Sequence, residues 1–112
     1  MATARSSANR VVAVFVTCPN RRVAETIGRT LVEERLAACG NIIPGLTSIY
    51  RWQGKICRDS EVLAILKTRR SCFPKLARRI RELHPYSVPA IVALPVALSS
   101  PSYLAWVAES TT

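Results

Sequence analysis

The chain has 112 residues, 49% of them hydrophobic, with a net charge of +9 and a pI near 10.3. That is enough for one domain with a modest core, and too apolar for a disordered chain. No apolar run reaches the ~18–20 residues of a membrane-spanning helix.

Residues 1–10 are small and polar and lack the apolar stretch of a secretory signal. They read as a mobile tail, or as the remnant of an organellar targeting segment, ahead of a single domain over 11–112. The cysteines at 18, 39, 57 and 72 form no C-x-x-C pair. Without a secretion signal they read as free thiols in a reducing compartment, the cytoplasm. The basic balance admits nucleic acid, an acidic membrane or a phosphorylated ligand as partner. No helix-turn-helix, RNP or zinc-finger pattern supports a nucleic-acid reading, and a solvated basic surface is the plainer account.

Val11 to Val16 is an unbroken apolar, β-branched run, too short for a helix, and predicts a buried strand. Pro19-Asn20 ends it, with Asn20 placed to cap a helix. Helical spacing predicts that helix over 21–38, with Val23, Ile27 and Leu31 on one stripe and Gly40 as terminator. A second strand starts at Asn41 and is interrupted at Pro44-Gly45, the mark of a bulge or an edge. It continues into a long hairpin, Leu46–Lys67, turned at Gln53-Gly54, which resembles the Asn-Gly turn signal. Ser71 is placed to cap a second helix through Leu83, with Phe73, Leu76, Ala77, Ile80 and Leu83 on its apolar face. Pro74 fits its first turn, and Lys75, Arg78, Arg79 and Arg81 fall on its other face. His84-Pro85 stops that helix. Ala90 to Pro95 is a fourth strand, and Ser100-Pro101 begins a short last helix.

The order β-α-β-β-α-β plus a C-terminal helix is the ferredoxin-like split βαβ pattern, an α+β fold with an antiparallel sheet in strand order 4-1-3-2. Three of the four strands are apolar throughout instead of alternating, so both faces of the sheet should be covered. Two helices cover one face and the short last helix only part of the other. The remainder calls for another copy of the chain, and the hairpin is the element to reach across to it. The topology also places Cys18, Cys57, His84 and the hairpin turn at one end of the sheet, with Cys39 and Cys72 at the other.

Several stretches carry a family likeness: Val16-Thr17-Cys18-Pro19-Asn20, Leu36 to Gly45, Thr47 to Lys55, Leu66-Lys67-Thr68, His84-Pro85-Tyr86, Ile91 to Val96, and Tyr103-Leu104-Ala105-Trp106. Together, and in this order over about Val11 to Ser110, they resemble the CutA family of divalent-cation tolerance proteins. The resemblance implies a homotrimer, kinship with the trimeric PII signalling proteins, an intracellular location and no enzymatic activity. It also implies a link to tolerance of copper and other divalent metals, with copper bound by some members. The chain departs from the family in its ligand positions. It has Leu83 where some metal-binding relatives carry a second His, Val16 where their copper-associated cysteine stands, and Ala90 where Glu is common. Only His84 matches directly, and Cys18 is a nearby substitute.

His84 is thus a candidate Cu or Zn ligand through its imidazole. The plainer alternative is a helix-terminal histidine facing the last carbonyls. Cys18, just before a helix N-terminus, is a candidate for soft Cu(I) or a small buried residue. Tyr50, Trp52, Lys67, Tyr86, Tyr103 and Trp106 read as the wall of a ligand cleft between subunits, or as interface packing. The basic cluster around Arg69 to Arg81 is a phosphate or acidic-partner site, or a solvated helix face. No catalytic constellation stands out. These residues leave three functions open. The chain is a trimer that binds divalent metal, chiefly copper; or a PII-like signalling trimer that binds a small anionic ligand between subunits; or a stable scaffold that docks another protein.

Overall fold

A computed structural model describes residues 10–112. The tail predicted over 1–10 lies outside the described residues, apart from Arg10, whose carbonyl accepts from the Arg70 amide at 2.7 Å. The elements run β1 (Val11–Cys18), α1 (Arg21–Glu33), β2 (Cys39–Trp52), β3 (Lys55–Arg69), α2 (Phe73–Leu83), β4 (Ile91–Pro95) and α3 (Pro101–Ser110). The sheet order is β2-β3-β1-β4, the expected order read from its other edge, and every neighbouring pair is antiparallel.

Alternation within the strands sorts their side chains into two layers. Val12, Val14, Val16 and Cys18 of β1 and Val62, Ala64 and Leu66 of β3 face the helices. They bury against Ala24, Ile27 and Leu31 of α1 and Leu76 and Ile80 of α2. Asn20 caps α1 as expected, its Oδ1 accepting from the Val23 amide at 2.9 Å. Gly40 does not terminate that helix. α1 stops at Glu33, and Arg35 takes φ +61° to reverse the chain. The Leu36 and Ala37 amides then bond back to the Leu31 carbonyl at 2.9 and 3.1 Å. Sheet pairing explains the early stop. The Ala38 amide already donates to Lys67 O at 2.8 Å, so β2 begins at Cys39 instead of Asn41. Gly40 lies inside β2, where a Cβ would come within 3.0 Å of Leu66 Cδ2 and 3.6 Å of Gly28 Cα. Its role is close approach of β2 to α1.

The capping role expected of Ser71 is also corrected. Residues 70–72 form a 3-10 turn, the N-cap of α2 is Cys72, and no side chain caps it. The turn already engages the Phe73 amide, which donates to the Arg70 carbonyl, and Pro74 has no amide to offer.

The hairpin is as long as expected, with arms of 14 and 15 residues. Gln53 and Gly54 both take positive φ, +50° and +78°, which is the type I′ combination that matches strand twist. β1 pairs with β3 only from Val62 to Arg69. The segments Leu46–Trp52 and Lys55–Glu61 therefore pair only with each other and project as a two-stranded arm. They stretch the molecule to 50 Å against 26 and 24 Å across.

The second face of the sheet is apolar and mostly uncovered. α3 lies over one end, burying Val107 with Val11 and Ala38. Beyond it, Ile43, Val92 and Leu94 are exposed beside the half-buried Phe15, Leu63 and Ile65.

Candidate functional site

Where the arm leaves the sheet, a cleft of ≈590 Å³ opens on this second face. Thr17 at the end of β1, Glu61 of β3, Ser48, Tyr50 and Trp52 of β2, and the loop from Tyr86 to Ala90 line it. The bulge at 43–46 explains why the aromatic residues arrive there. Ile43 pairs with Leu63 and Leu46 with Glu61, a step of three residues on β2 against two on β3. The extra residue flips the parity of β2. Cys39, Asn41 and Ile43 before the bulge, and Ser48, Tyr50 and Trp52 after it, all share the second face. Gly45 supplies the positive φ, +85°, at the kink.

Hydrogen bonds to carboxylates fix two of the tyrosines. Tyr86 Oη donates to Glu61 Oε2 at 2.6 Å, and Tyr50 Oη donates to Asp59. The bond to Asp59 is the first cause that holds the Tyr50 hydroxyl protonated, up to about 12. Burial first, and the Glu61 bond second, push Tyr86 up in the same direction. Both rings are neutral donors at any ordinary pH. Glu61 is only 7% exposed.

His84 stands behind the cleft. It is 6% exposed and both ring nitrogens are engaged. Nδ1 accepts from the Tyr86 amide at 3.2 Å, so the proton sits on Nε2, which donates to the Thr17 carbonyl at 2.9 Å. Its backbone amide caps α2 by donating to Ile80 O at 2.8 Å. The ring ties the end of α2 to the end of β1 and packs on Tyr86, with centroids 4.6 Å apart. Cys18 is fully buried at the same end, as the topology required. Burial, with Glu61 second, raises its thiol to about 11. A protonated thiol and a histidine with no free lone pair are poor ligands. Among the described residues, no three His, Cys, Asp or Glu side chains gather in a way that would hold a metal ion. As placed within this one chain, His84 and Cys18 do not fit a copper site.

Within one chain, the six residues expected to share a cleft divide into two groups. Tyr50, Trp52 and Tyr86 line it. Lys67, Tyr103 and Trp106 lie towards the far end of the same face. There Lys67 Nζ donates to Asn41 Oδ1 at 2.5 Å, and Tyr103 shares a 3.3 Å hydrogen bond with Cys39 Sγ. Burial and that bond raise Tyr103 to about 12. The basic cluster is partly consumed as well. Arg79 pairs with Glu34 and Glu82, and Arg69 Nε donates to Thr111 Oγ1 at 2.9 Å. The sequence gives no separate sign of Glu61, one of four polar residues in the run Arg58-Asp59-Ser60-Glu61 of the returning arm. The available signal was its parity with Leu63 and Ile65 on the second face.

Residues 12–110 match the family model described as CutA1 divalent ion tolerance protein. A protein named divalent-cation tolerance protein CutA, from Thermus thermophilus, is 57% identical over 88% of this chain and 95% of its own length. A mouse protein named Protein CutA is 54% identical over 90% of this chain, which spans only 57% of the mouse protein. A solved structure of the divalent cation tolerance protein of Thermus thermophilus superimposes with a TM-score of 0.89 at 55% identity, covering 91% of this chain and 99% of that one. Names among further relatives place one in the chloroplast and one in the periplasm. The family description and both Thermus thermophilus names denote divalent-cation tolerance, and none of the names is that of a reaction. No helix among the described residues is long and apolar enough to cross a membrane.

Proposed function

The chain belongs to the CutA1 family of divalent ion tolerance proteins, not to a family of enzymes, and we propose that it serves divalent-cation tolerance as a homotrimer with a ligand cleft at the base of each hairpin arm. The uncovered apolar face carries this reading. Ile43, Val92 and Leu94 lie open on a sheet whose other face is fully packed. An arm bearing exposed Ile49 (69%) and Ile56 (64%) projects beside it. An apolar face of that kind, continuous with an unpaired arm, fits a second copy of the same surface. Three copies close the arrangement in the way the family resemblance implies. The reading places the protein in the cytoplasm, where its four free thiols stay reduced.

A PII-like mode of action is the second reading, favoured by the cleft. Occupancy of a pocket at the root of a projecting hairpin would change the surface that the hairpin presents. A divalent ion is the cargo that the family name suggests, and copper is the one that the resemblance implies. In this subunit a metal would reach His84 and Cys18 only after the Tyr86–His84 bond broke and the thiol ionised.

Light scattering tests the assembly: a mass of three times 12.3 kDa is expected, and a stable monomer overturns it. Titration of the reduced protein with Cu(I) and Cu(II), beside His84→Ala and Cys18→Ser, tests the metal. Equal affinities in all three proteins place any bound copper elsewhere, and a loss in either variant restores that residue as a ligand.

A further inference from the structure

We propose that the cleft binds a small organic cation, an amine or guanidinium, held by the Glu61 carboxylate between the rings of Tyr50, Trp52 and Tyr86, a proposal that rests on this cleft being the ligand site. Glu61 is a buried acid whose side chain has, among the described residues, a single hydrogen bond, the one from the neutral Tyr86 hydroxyl. The ion pairs among the described residues join Arg29 to Glu33 and Arg79 to Glu34 and Glu82, and none of them reaches Glu61. A carboxylate has about four acceptor positions, so most of its capacity is unspent. Burying such a charge without a counter-charge is costly, so the missing partner is a cation.

The rest of the cleft agrees. The protein carries a net charge of +9, yet the one charged side chain in the cleft wall is acidic. A second acid, Asp59, stands behind Tyr50. An anion would meet repulsion there. A divalent metal would find one carboxylate in place of the roughly six to eight oxygen ligands that a hard cation such as Ca²⁺ takes. An organic cation finds what it needs: a carboxylate for its N–H donors, the Thr17 and Ser48 hydroxyls as further acceptors, and aromatic faces for its charge. The volume, ≈590 Å³, lies within the range of about 300–1,000 Å³ common to small-molecule sites.

In a Trp106→Phe background, Trp52 is the only tryptophan and reports from the cleft wall. Choline, putrescine and methylguanidinium chlorides are titrated at constant ionic strength, beside sodium citrate, ATP and CaCl₂. The three organic cations are expected to shift the Trp52 emission saturably, and Glu61→Gln, which keeps an acceptor for Tyr86, is expected to weaken putrescine and methylguanidinium, which carry N–H donors, by about tenfold or more. Trp52→Leu, at an exposed position clear of the core, is read by calorimetry and is expected to weaken choline more than putrescine. It decides the matter should Glu61→Gln fail to assemble. Equal amine affinity with and without the Glu61 charge overturns the proposal, as does binding of CaCl₂ in preference to the amines. Binding of citrate or ATP without the amines overturns the cationic ligand but leaves the ligand cleft standing. No binding of any probe to an intact trimer overturns both.

Discussion

His84 holds two chain segments together through one ring. Its Nε2–H occupies the Thr17 carbonyl at the end of β1, and its Nδ1 occupies the Tyr86 amide at the entrance to the cleft. His84→Ala leaves both backbone groups without their partners, at a cost of about 2 kcal/mol. A lowered urea midpoint with unchanged m checks this. A variant as stable as wild type would show that water replaces the ring. Cys18 supplies a second residue-level prediction, with a definite sign. Its folded value, about 11, lies above the ordinary thiol value of 9.0, so the neutral thiol is favoured by folding. The stability this contributes is complete below pH 9 and is lost as pH rises through 11. Melting temperatures are expected to stay level to about pH 9 and then fall, and Cys18→Ala is expected to flatten the first part of that fall. Above about pH 10 the raised tyrosines, Tyr50 and Tyr103, continue the decline in both proteins.

Among the elements, the Pro44-Gly45 bulge sets which face of the arm bears the aromatics. Deleting Gly45 removes the extra residue between Ile43 and Leu46. The step then becomes two residues on each strand, so Leu46 still pairs with Glu61, and Ser48, Tyr50 and Trp52 stay on the second face while the kink closes. The helix-facing core before the bulge is untouched, so the fold is expected to persist. Far-UV dichroism and the quenching of Trp52 by acrylamide should both be retained, because the Gln53-Gly54 turn holds the register of the arm. A Trp52 that becomes markedly more or less accessible would mean that the arm slips in register instead of closing the bulge. Gly40 plays the opposite role within the same strand. It is there for proximity, and Gly40→Ala must displace Leu66, at a cost of about 1–2 kcal/mol by overpacking that thermal or chemical denaturation reads directly.

Across the whole molecule, the second face of the sheet and the arm both leave apolar side chains open, with Ile49 and Ile56 on the side of the arm away from Tyr50 and Trp52. Substituting Ile49 and Ile56 together by Glu places charge on the arm without entering the core, because both side chains are exposed in the single chain. If the arm packs on a neighbour, the doubly substituted protein is expected to sediment as a monomer that keeps its secondary structure. A trimer unchanged by both charges would show that the arm projects into solvent and that the sheet face alone carries assembly.

The order of elements, the antiparallel strand order, the two-residue turn at Gln53-Gly54 and the sorting of Cys18 and His84 from Cys39 and Cys72 to opposite ends were all legible in the chain. They depend on local periodicity, turn chemistry and the parity of strand directions, which are written along it. The end of α1 was not, because Arg35 carries no local stop signal and it is the pairing of Ala38 with Lys67 that draws the chain into the sheet. Three-dimensional packing was needed to show that Gly40 serves close approach, that Ser71 caps nothing, and that His84 binds a carbonyl far from it in sequence through one nitrogen while the other holds a neighbouring amide. Glu61 is the clearest case. In the chain it reads as one polar residue in the run Arg58-Asp59-Ser60-Glu61. Strand parity, the flip at the bulge and the return of Tyr86 make it a buried carboxylate in an aromatic cleft, and each of those is a relation between segments that only folding brings together.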